Sequence, residues 1–347
     1  MHAPEKILLI RFSSIGDILL ASPLVRALRA KYPEARIDFL TKRKYAELFR
    51  ANPHLTSVIE FDDGEKEEIG ALRRKIRETK YDLILDLHDS LRSKYLRVFS
   101  RAKEVRTVNK RAIRRFFLVK LKWNMYGAAV SVADRYLETA KDFGVSPDGQ
   151  GLEIFIPPDV VQETEEMLKI FLQSRDQFVV GLAPTAKHKT KMWLPERFAE
   201  LGGLLAKERG ATVVVFGGPD DSAYCENIVK RINDLSGENT ARNFAGKLSL
   251  LETACTMDVC NLIVTNDTGL MHLATARKKP VVAIFGSTVE QFGFFPYRAS
   301  SIIVECNGLS CRPCSHIGRA ECPKGHFRCM NDITVSEVVD ATRKLLQ

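Results

Sequence analysis

KILLIRFSSIGDILLASPLVRALRAKYP, residues 6–33, is the stretch whose reading decides the fold. Its first residues form a short continuous apolar run, which suits a strand buried on both faces of a sheet. A polar break follows at Ser13 and Ser14, and from Asp17 onward apolar residues recur at helical spacing as far as Tyr32. RIDFLT, residues 36–41, then restores strand character. Strand, helix and strand in that order predict a βαβ unit and a parallel sheet.

The turn inside this stretch is where an α/β protein usually places a phosphate loop. Here it has a single glycine, Gly16, to make the turn, and a carboxylate, Asp17, where an anion would be repelled. Asp17 opens the helix, so the helix dipole should favour its ionised form. Neither GxGxxG nor GxxxxGK occurs in the chain, which disfavours NAD chemistry and simple ATP hydrolysis.

Outward from this unit the alternation continues. SVIEF (57–61) and DLILDLH (82–88) read as further strands separated by charged, helix-compatible segments. A helical segment at 130–143 leads into a Gly/Pro-rich region, 144–158, which reads as a linker. Strands are then expected at FVVGLAP (178–184), TVVVFGG (212–218), NFAG (243–246), NLIVTN (261–266) and PVVAIFG (280–286). Among the intervening helices, PERFAELGGLLAKERG carries Pro195 at its start and Gly210 past its end. A Ser249/Glu252 capping box opens another, and TVSEVVDATRKLLQ closes the chain as a capped helix. The fold class expected is α/β, with two doubly wound parallel-sheet domains, 1–157 and 158–347, facing a cleft. Ligands would lie at the carboxyl ends of the strands.

The 347 residues are 45% hydrophobic and carry a net charge of +9. Residues 1–150 hold thirty Lys/Arg against twenty Asp/Glu, so all the excess lies in the first half. Within it, residues 92–122 contain twelve cations and one acid, Glu104, interleaved with Phe99, Phe116 and Phe117 and followed by Trp123. So many like charges repel one another unless something anionic is near, either nucleic acid or a phosphorylated, membrane-associated substrate. A solvated helical face is the plainer alternative. No apolar run is long enough to span a bilayer, and MHAPEK passes into the first strand without signal-peptide form. A cytoplasmic location with peripheral membrane contact is expected.

VTNDTGLMHLATA, residues 264–276, carries the clearest binding signal. A strand ends at Asn266, and Asp267-Thr268-Gly269 turns into a helix whose first N–H groups and dipole favour an anion. Gly269 allows close approach, Thr268 adds a hydroxyl, Asp267 can accept from sugar hydroxyls, and His272 lies one turn in. An ordinary helix cap with a core histidine is the plain reading of this motif taken alone. Its neighbours weigh against that. APTAKHKTKMW (183–193) brings Thr185, Lys187, Lys189 and Lys191 to another strand end, with Trp193 as anchor. FGGPDD (216–221) brings two glycines and Asp220 or Asp221 to a third. Together they suit a nucleotide-diphosphate compound.

In this order, KILLIRFSSIGDILLASPLVRAL, PTAKHKTKMWLPERF, FGGPDD, FAGKLSLLE and NDTGLMHLATA resemble the bacterial heptosyltransferases of lipopolysaccharide core synthesis, glycosyltransferase family 9. The resemblance spans nearly the whole chain and implies a GT-B architecture, with acceptor bound by the first domain and ADP-heptose by the second. It implies an inverting transfer with no catalytic metal, Asp17 as general base, and Lys191 and Thr185 on the diphosphate. Asp267, Thr268, Gly269 and His272 would form the donor loop, Leu248 would contact adenine through its backbone, and Asp220 would lie near the donor. The acceptor would be a phosphorylated lipid A–Kdo compound, which gives the basic stretch an anionic inner-membrane partner in place of nucleic acid. A GT-B enzyme using another nucleotide sugar, or a basic nucleic-acid-binding protein with a metal module, are the competing readings.

The metal module is suggested by the cysteines. Four of eight fall as Cys311-x2-Cys314-x7-Cys322-x6-Cys329, a pattern that can make a structural zinc or iron site, with His316 and His326 as substitute ligands. Free thiols in a reducing compartment are the alternative. Cys225, Cys255 and Cys260 read as small buried hydrophobes.

Overall fold

The computed structural model describes residues 3–62, 66–170, 172, 177–237 and 239–347. The chain forms two compact units, Met1–Lys110 with Val130–Phe155, and Arg111–Ala129 with Ile156–Gln347.

The first unit holds a parallel sheet of strands β1 (Lys6–Ile10), β2 (Arg36–Lys42), β3 (Ser57–Phe61), β4 (Leu83–Asp86) and β5 (Glu104–Thr107), in the spatial order β3-β2-β1-β4-β5. Ile7 pairs with Ile37 on one side and Leu83 on the other. Ile7, Leu8, Leu9 and Ile10 are all fully buried, as a two-sided strand requires. Each such side chain contributes about 1.5–3 kcal/mol on burial.

The helix after β1 is not continuous. It runs Ile15–Leu19 and resumes at Ser22–Lys31. Pro23 has no N–H for the carbonyl of Leu19, so the ladder breaks there. The Ser22 hydroxyl donates to that carbonyl instead, at 2.7 Å, and Pro23 takes a first-turn position of the new helix. Gly16 is correspondingly inside the first short helix and does not make the turn, which belongs to Phe12–Ser14.

The basic stretch 92–122 is likewise not one element. It contains a helix at Leu91–Val98, the strand β5, a helix at Ala112–Phe116 and a π-helical turn at Phe117–Leu121. Charge masked the strand: EVRT offers only one apolar residue of four.

The second unit repeats the plan with β6 (Val179–Ala183), β7 (Thr212–Val215), β8 (Ala241–Asn243), β9 (Leu262–Asn266), β10 (Val281–Phe285) and β11 (Ser301–Glu305). All pairs are parallel, in the order β11-β10-β9-β6-β7-β8. The strand expected at NFAG lies earlier, at Ala241–Asn243, and β11 extends the sheet beyond the strands anticipated. Gly181 is required in β6, because a Cβ there would sit 2.4 Å from Ile263 Cδ1. The helix Pro195–Arg209 ends at Gly210 in the left-handed conformation, φ +63°. The terminal helix Val335–Leu345, opened by Thr334 and Glu337, packs Val338 and Val339 into this unit's core.

Two doubly wound parallel sheets are thus present, the fold class anticipated.

Candidate active site

In each sheet the chain reverses its direction of growth once. The switch lies between β1 and β4 in the first unit, and between β6 and β9 in the second. Loops leaving the carboxyl ends of such strand pairs diverge and leave a crevice for ligand. Most of the candidate site residues lie at these two points.

At the first, Arg11 follows β1 directly. Its Nη1 donates to the Leu87 carbonyl at the end of β4, 2.7 Å away, and its Nη2 lies 2.5 Å from Asp17 Oδ1. The other Asp17 oxygen accepts from the Ser14 hydroxyl at 2.8 Å and the Ser14 N–H at 3.2 Å. Burial alone would raise the Asp17 carboxyl. The Arg11 charge and the Ser14 hydrogen bonds outweigh it and hold the carboxyl below its ordinary value. Asp17 sits in the first turn of the short helix Ile15–Leu19, and Arg11 and Ser14 are the partners that favour its ionised form. The side chain stays 15% exposed, within reach of a ligand.

His88 stands beside this pair, just past β4. Its ring lies 4.7 Å from that of Phe12, and its Nδ1 is buried without a hydrogen-bond partner among the described residues. Burial first, then the Arg11 and Lys110 charges, push its pKa down to about 3, so the imidazole is neutral at physiological pH. Neither Arg11 nor His88 was singled out in the sequence. The rule applied to the second half, that polar residues just past a strand end face the ligand, would have found both.

At the second switch point, β6 leads through Thr185 into a tight turn at Lys189–Lys191. Lys187 and Lys189 face solvent. Lys191 turns inward and places Nζ 2.7 Å from Asp267 Oδ2, at the end of β9. Asp267 is 4% exposed and also accepts from the Thr288 hydroxyl at 2.7 Å, just past β10. Thr268 is the N-cap of the helix Gly269–Ala276, and His272 is buried in its first turn. Trp193 anchors the segment as anticipated: it is fully buried, takes Asn266 Oδ1 on its N–H at 3.0 Å, and donates its indole N–H to the Ile333 carbonyl.

The third strand end follows β7. Here Asp221, and not the exposed Asp220, accepts from the Thr185 hydroxyl at 2.9 Å and from the Gly218 N–H at 2.8 Å. Leu248 lies half-buried between β8 and the helix Leu250–Asp258, which the Ser249/Glu252 capping box opens as predicted. Thr185, Lys191, Asp267, Thr268 and Gly269 therefore lie on loops leaving the neighbouring strands β6 and β9, and Asp221 on the loop from β7. A cation, hydroxyls and a helix start grouped in this way can hold a diphosphate.

The cysteine segment does not form the tetrahedral ligand set that its spacing allows. Among the described residues no three His, Cys, Asp or Glu side chains are gathered closely enough to hold an ion. Cys311 Sγ faces His326 Nε2 at 3.7 Å, while Cys329 is buried in the core of the unit. Burial, then the neighbouring cysteines, push the Cys329 thiol up to about 12. Cys322 instead helps line an apolar recess of about 550 Å³ beside Trp193 and Phe327, and neither Lys191 nor Asp267 is in its walls. Cys225, Cys255 and Cys260 are buried free thiols.

Residues 69–324 match the model of glycosyltransferase family 9 (heptosyltransferase). The chain belongs to this family. It is a glycosyltransferase family 9 enzyme, and the two relatives described next match it across 98% of their length. Lipopolysaccharide heptosyltransferase 2 of Salmonella typhimurium is 29% identical over 98% of both chains, and that of Escherichia coli is 28% identical over the same share of each. Among solved structures, the Escherichia coli ADP-heptose lps heptosyltransferase II superposes with a TM-score of 0.74 at 25% identity, covering 98% of both chains. A glycosyltransferase family 9 protein from Veillonella parvula reaches a TM-score of 0.80 at 23% identity, covering 99% of this chain and 97% of its own. The GT-B class of this family 9 chain agrees with those folds.

Proposed function

We propose that the protein is an inverting heptosyltransferase of the lipopolysaccharide inner core, moving heptose from ADP-heptose to a Kdo or heptose hydroxyl on a lipid A acceptor. The relatives named lipopolysaccharide heptosyltransferase 2 support the core acceptor. Solved heptosyltransferases with ADP and with an ADP-heptose analogue support the donor.

One observation carries the reading. The switch point of the second sheet brings together Lys191, the Thr185 hydroxyl and the helix start at Thr268–Gly269. A departing nucleoside diphosphate needs that set, because charge builds on its terminal oxygen as the glycosidic bond breaks. Lys191 is held by Asp267 until the donor arrives and then serves the phosphates. The Asp267 carboxylate stays fixed by Thr288 and accepts from a sugar hydroxyl. Asp221, through Thr185, steadies the diphosphate side, with Asp220 at the rim, Leu248 at the base and His272 behind the helix start.

The unit carrying Asp17 binds the acceptor. Its carboxylate takes the proton of the attacking hydroxyl, whose oxygen forms the new bond to the anomeric carbon. The bond from that carbon to the diphosphate oxygen breaks on the opposite side, and ADP leaves with the electron pair. A single displacement inverts the anomeric centre. The step needs no metal, since Lys191 and backbone N–H groups supply the positive charge.

Because the acceptor is lipid-borne, the enzyme works at the cytoplasmic face of the inner membrane, and the basic stretch 92–122 faces its anionic surface. No described helix is long and apolar enough to cross a membrane.

The test is an assay with ADP-heptose against core acceptors truncated at Kdo, at the first heptose and beyond, with product mass and anomeric configuration as readouts. A heptosyl product of inverted configuration is expected. Transfer from UDP- or GDP-sugars but not from ADP-heptose would overturn the reading.

A further inference from the structure

Residues Arg111–Ala129 interrupt the first unit in sequence but pack with the second. One side of this segment is fastened. Leu118 and Tyr126 are buried against Phe292, and the Lys122 ammonium donates to the Val119 and Pro313 carbonyls at 2.9 and 2.6 Å. The other side is not covered. Ile113 is 71% exposed, Leu121 and Trp123 60% each, and Phe116 56%. The rings of Phe116, Phe117 and Trp123 stand edge to face in a row, with centroids 5.9 and 5.5 Å apart.

Four large apolar side chains left in water within one short segment mark a binding surface. Its charge selects the partner. The segment holds Arg111, Arg114, Arg115, Lys120 and Lys122 and no acid. A second copy docking by the same face would set these cations against their equals, which opposes self-association. An anionic bilayer satisfies both features at once: headgroups take the cations, and the apolar side chains reach the acyl boundary, where Trp and Phe rings are favoured.

We propose that Arg111–Ala129 is a monotopic membrane anchor. Ile113, Phe116, Leu121 and Trp123 insert to the headgroup–acyl boundary, while Arg114, Arg115 and Lys120 lie among anionic headgroups. This rests on the lipid-linked acceptor proposed above and deepens it. Charge attraction along the basic stretch brings the enzyme to the surface, and this segment holds it there.

The chain carries its own probe, since its two tryptophans are the half-exposed Trp123 and the fully buried Trp193. The full-length protein is mixed with vesicles of phosphatidylglycerol and phosphatidylethanolamine, or of phosphatidylcholine alone. On the anionic vesicles the emission should shift to the blue and be quenched by lipids brominated on the acyl chain. The Trp123→Phe variant should show neither change. Flotation should retain a bound fraction at about 0.5 M salt, where exposed charge attraction is screened within a few ångströms. Ile113→Glu with Leu121→Glu should weaken vesicle binding at least about tenfold. Transfer to a deacylated, water-soluble acceptor should stay within about twofold of the parent, since neither residue touches the chemistry.

Binding that vanishes in salt with no change in Trp123 emission would overturn insertion in favour of surface charge alone. A concentration-dependent dimer abolished by the double variant would overturn it in favour of self-association. Failure of the parent protein to glycosylate the soluble acceptor would count against the proposed reaction and leave the vesicle measurements able to judge the anchor.

Discussion

Arg11 holds Asp17 by an ion pair of 2.5 Å, and the same guanidinium donates to the carbonyl of Leu87 across the switch point of the first sheet. The contact keeps the carboxylate charged and aimed, and it also lowers its basicity. In the proposed reaction this makes Asp17 a base that is ionised at physiological pH, at the cost of some proton affinity.

Replacing Asp17 by Asn would remove the proposed base and keep the shape. Turnover should fall at least about 100-fold, the usual worth of a positioned proton acceptor. Affinity for ADP-heptose by calorimetry should be unchanged, because the donor is assigned to the other unit. Retention of most of the turnover would remove Asp17 from the chemistry.

Arg11→Gln should change the pH dependence more than the maximal rate. In the parent, Asp17 is held below its ordinary value, so activity that needs its ionised form persists well into acid and fails only as pH falls through that depressed value. Without Arg11 the carboxyl loses the charge that lowers it most and moves upward. The acid limb of the kcat/KM profile should then move to higher pH. Superimposable acid limbs would show that Asp17 is not the group being titrated.

Lys191→Ala should weaken donor binding and slow transfer. It also strands Asp267, which is almost fully buried, with Thr288 as its remaining side-chain donor. Breaking one side of a buried pair costs about 3–5 kcal/mol, so the melting temperature should drop clearly. Adding Asp267→Asn should recover much of that loss without restoring activity. Equal stability of the single and double variants would mean that the pair contributes little.

His88 sets a second pH dependence of opposite origin. Its folded pKa, pushed down to about 3, lies below the ordinary value near 6.5. Between those limits the unfolded chain binds a proton that the folded chain does not, so stability should fall as pH is lowered through this window. His88→Phe should flatten that decline in chemical denaturation between about pH 4 and 7. An imidazole resonance titrating near 6.5 in the folded protein would contradict the buried, neutral state.

Much of this was legible from pattern. The apolar runs that became β1, β2, β4, β6, β7, β9 and β10 announced themselves because two-sided burial demands continuous Val, Ile and Leu. Trp193, the Ser249 cap and Gly210 were readable because each answers a local requirement, whether burial of a large ring, unpaired N–H groups or a left-handed terminus. β5 and β11 were not. β5 is only partly buried and has one apolar residue of four, and β11 is half-buried at a sheet edge, so neither carries the full signature. The break at Leu20–Ala21 depended on a hydroxyl substituting for a missing N–H, which spacing alone does not reveal. Within the site, residue types at strand ends were visible from sequence. Pairings were not: that Lys191 rather than Lys187 or Lys189 meets Asp267, and Asp221 rather than Asp220 meets Thr185, follows from the three-dimensional course of two short turns.

The ion pairs Arg11–Asp17 and Lys191–Asp267 have a further consequence for kinetics. Each pair balances its own charge before any ligand arrives, although the protein carries a net charge of +9. The far field that draws anionic substrates in and the near contacts that retain them therefore come from different residues. Added salt should slow encounter with donor and acceptor much more than it hastens their departure, so ionic strength would act on association rates and leave residence times nearly constant.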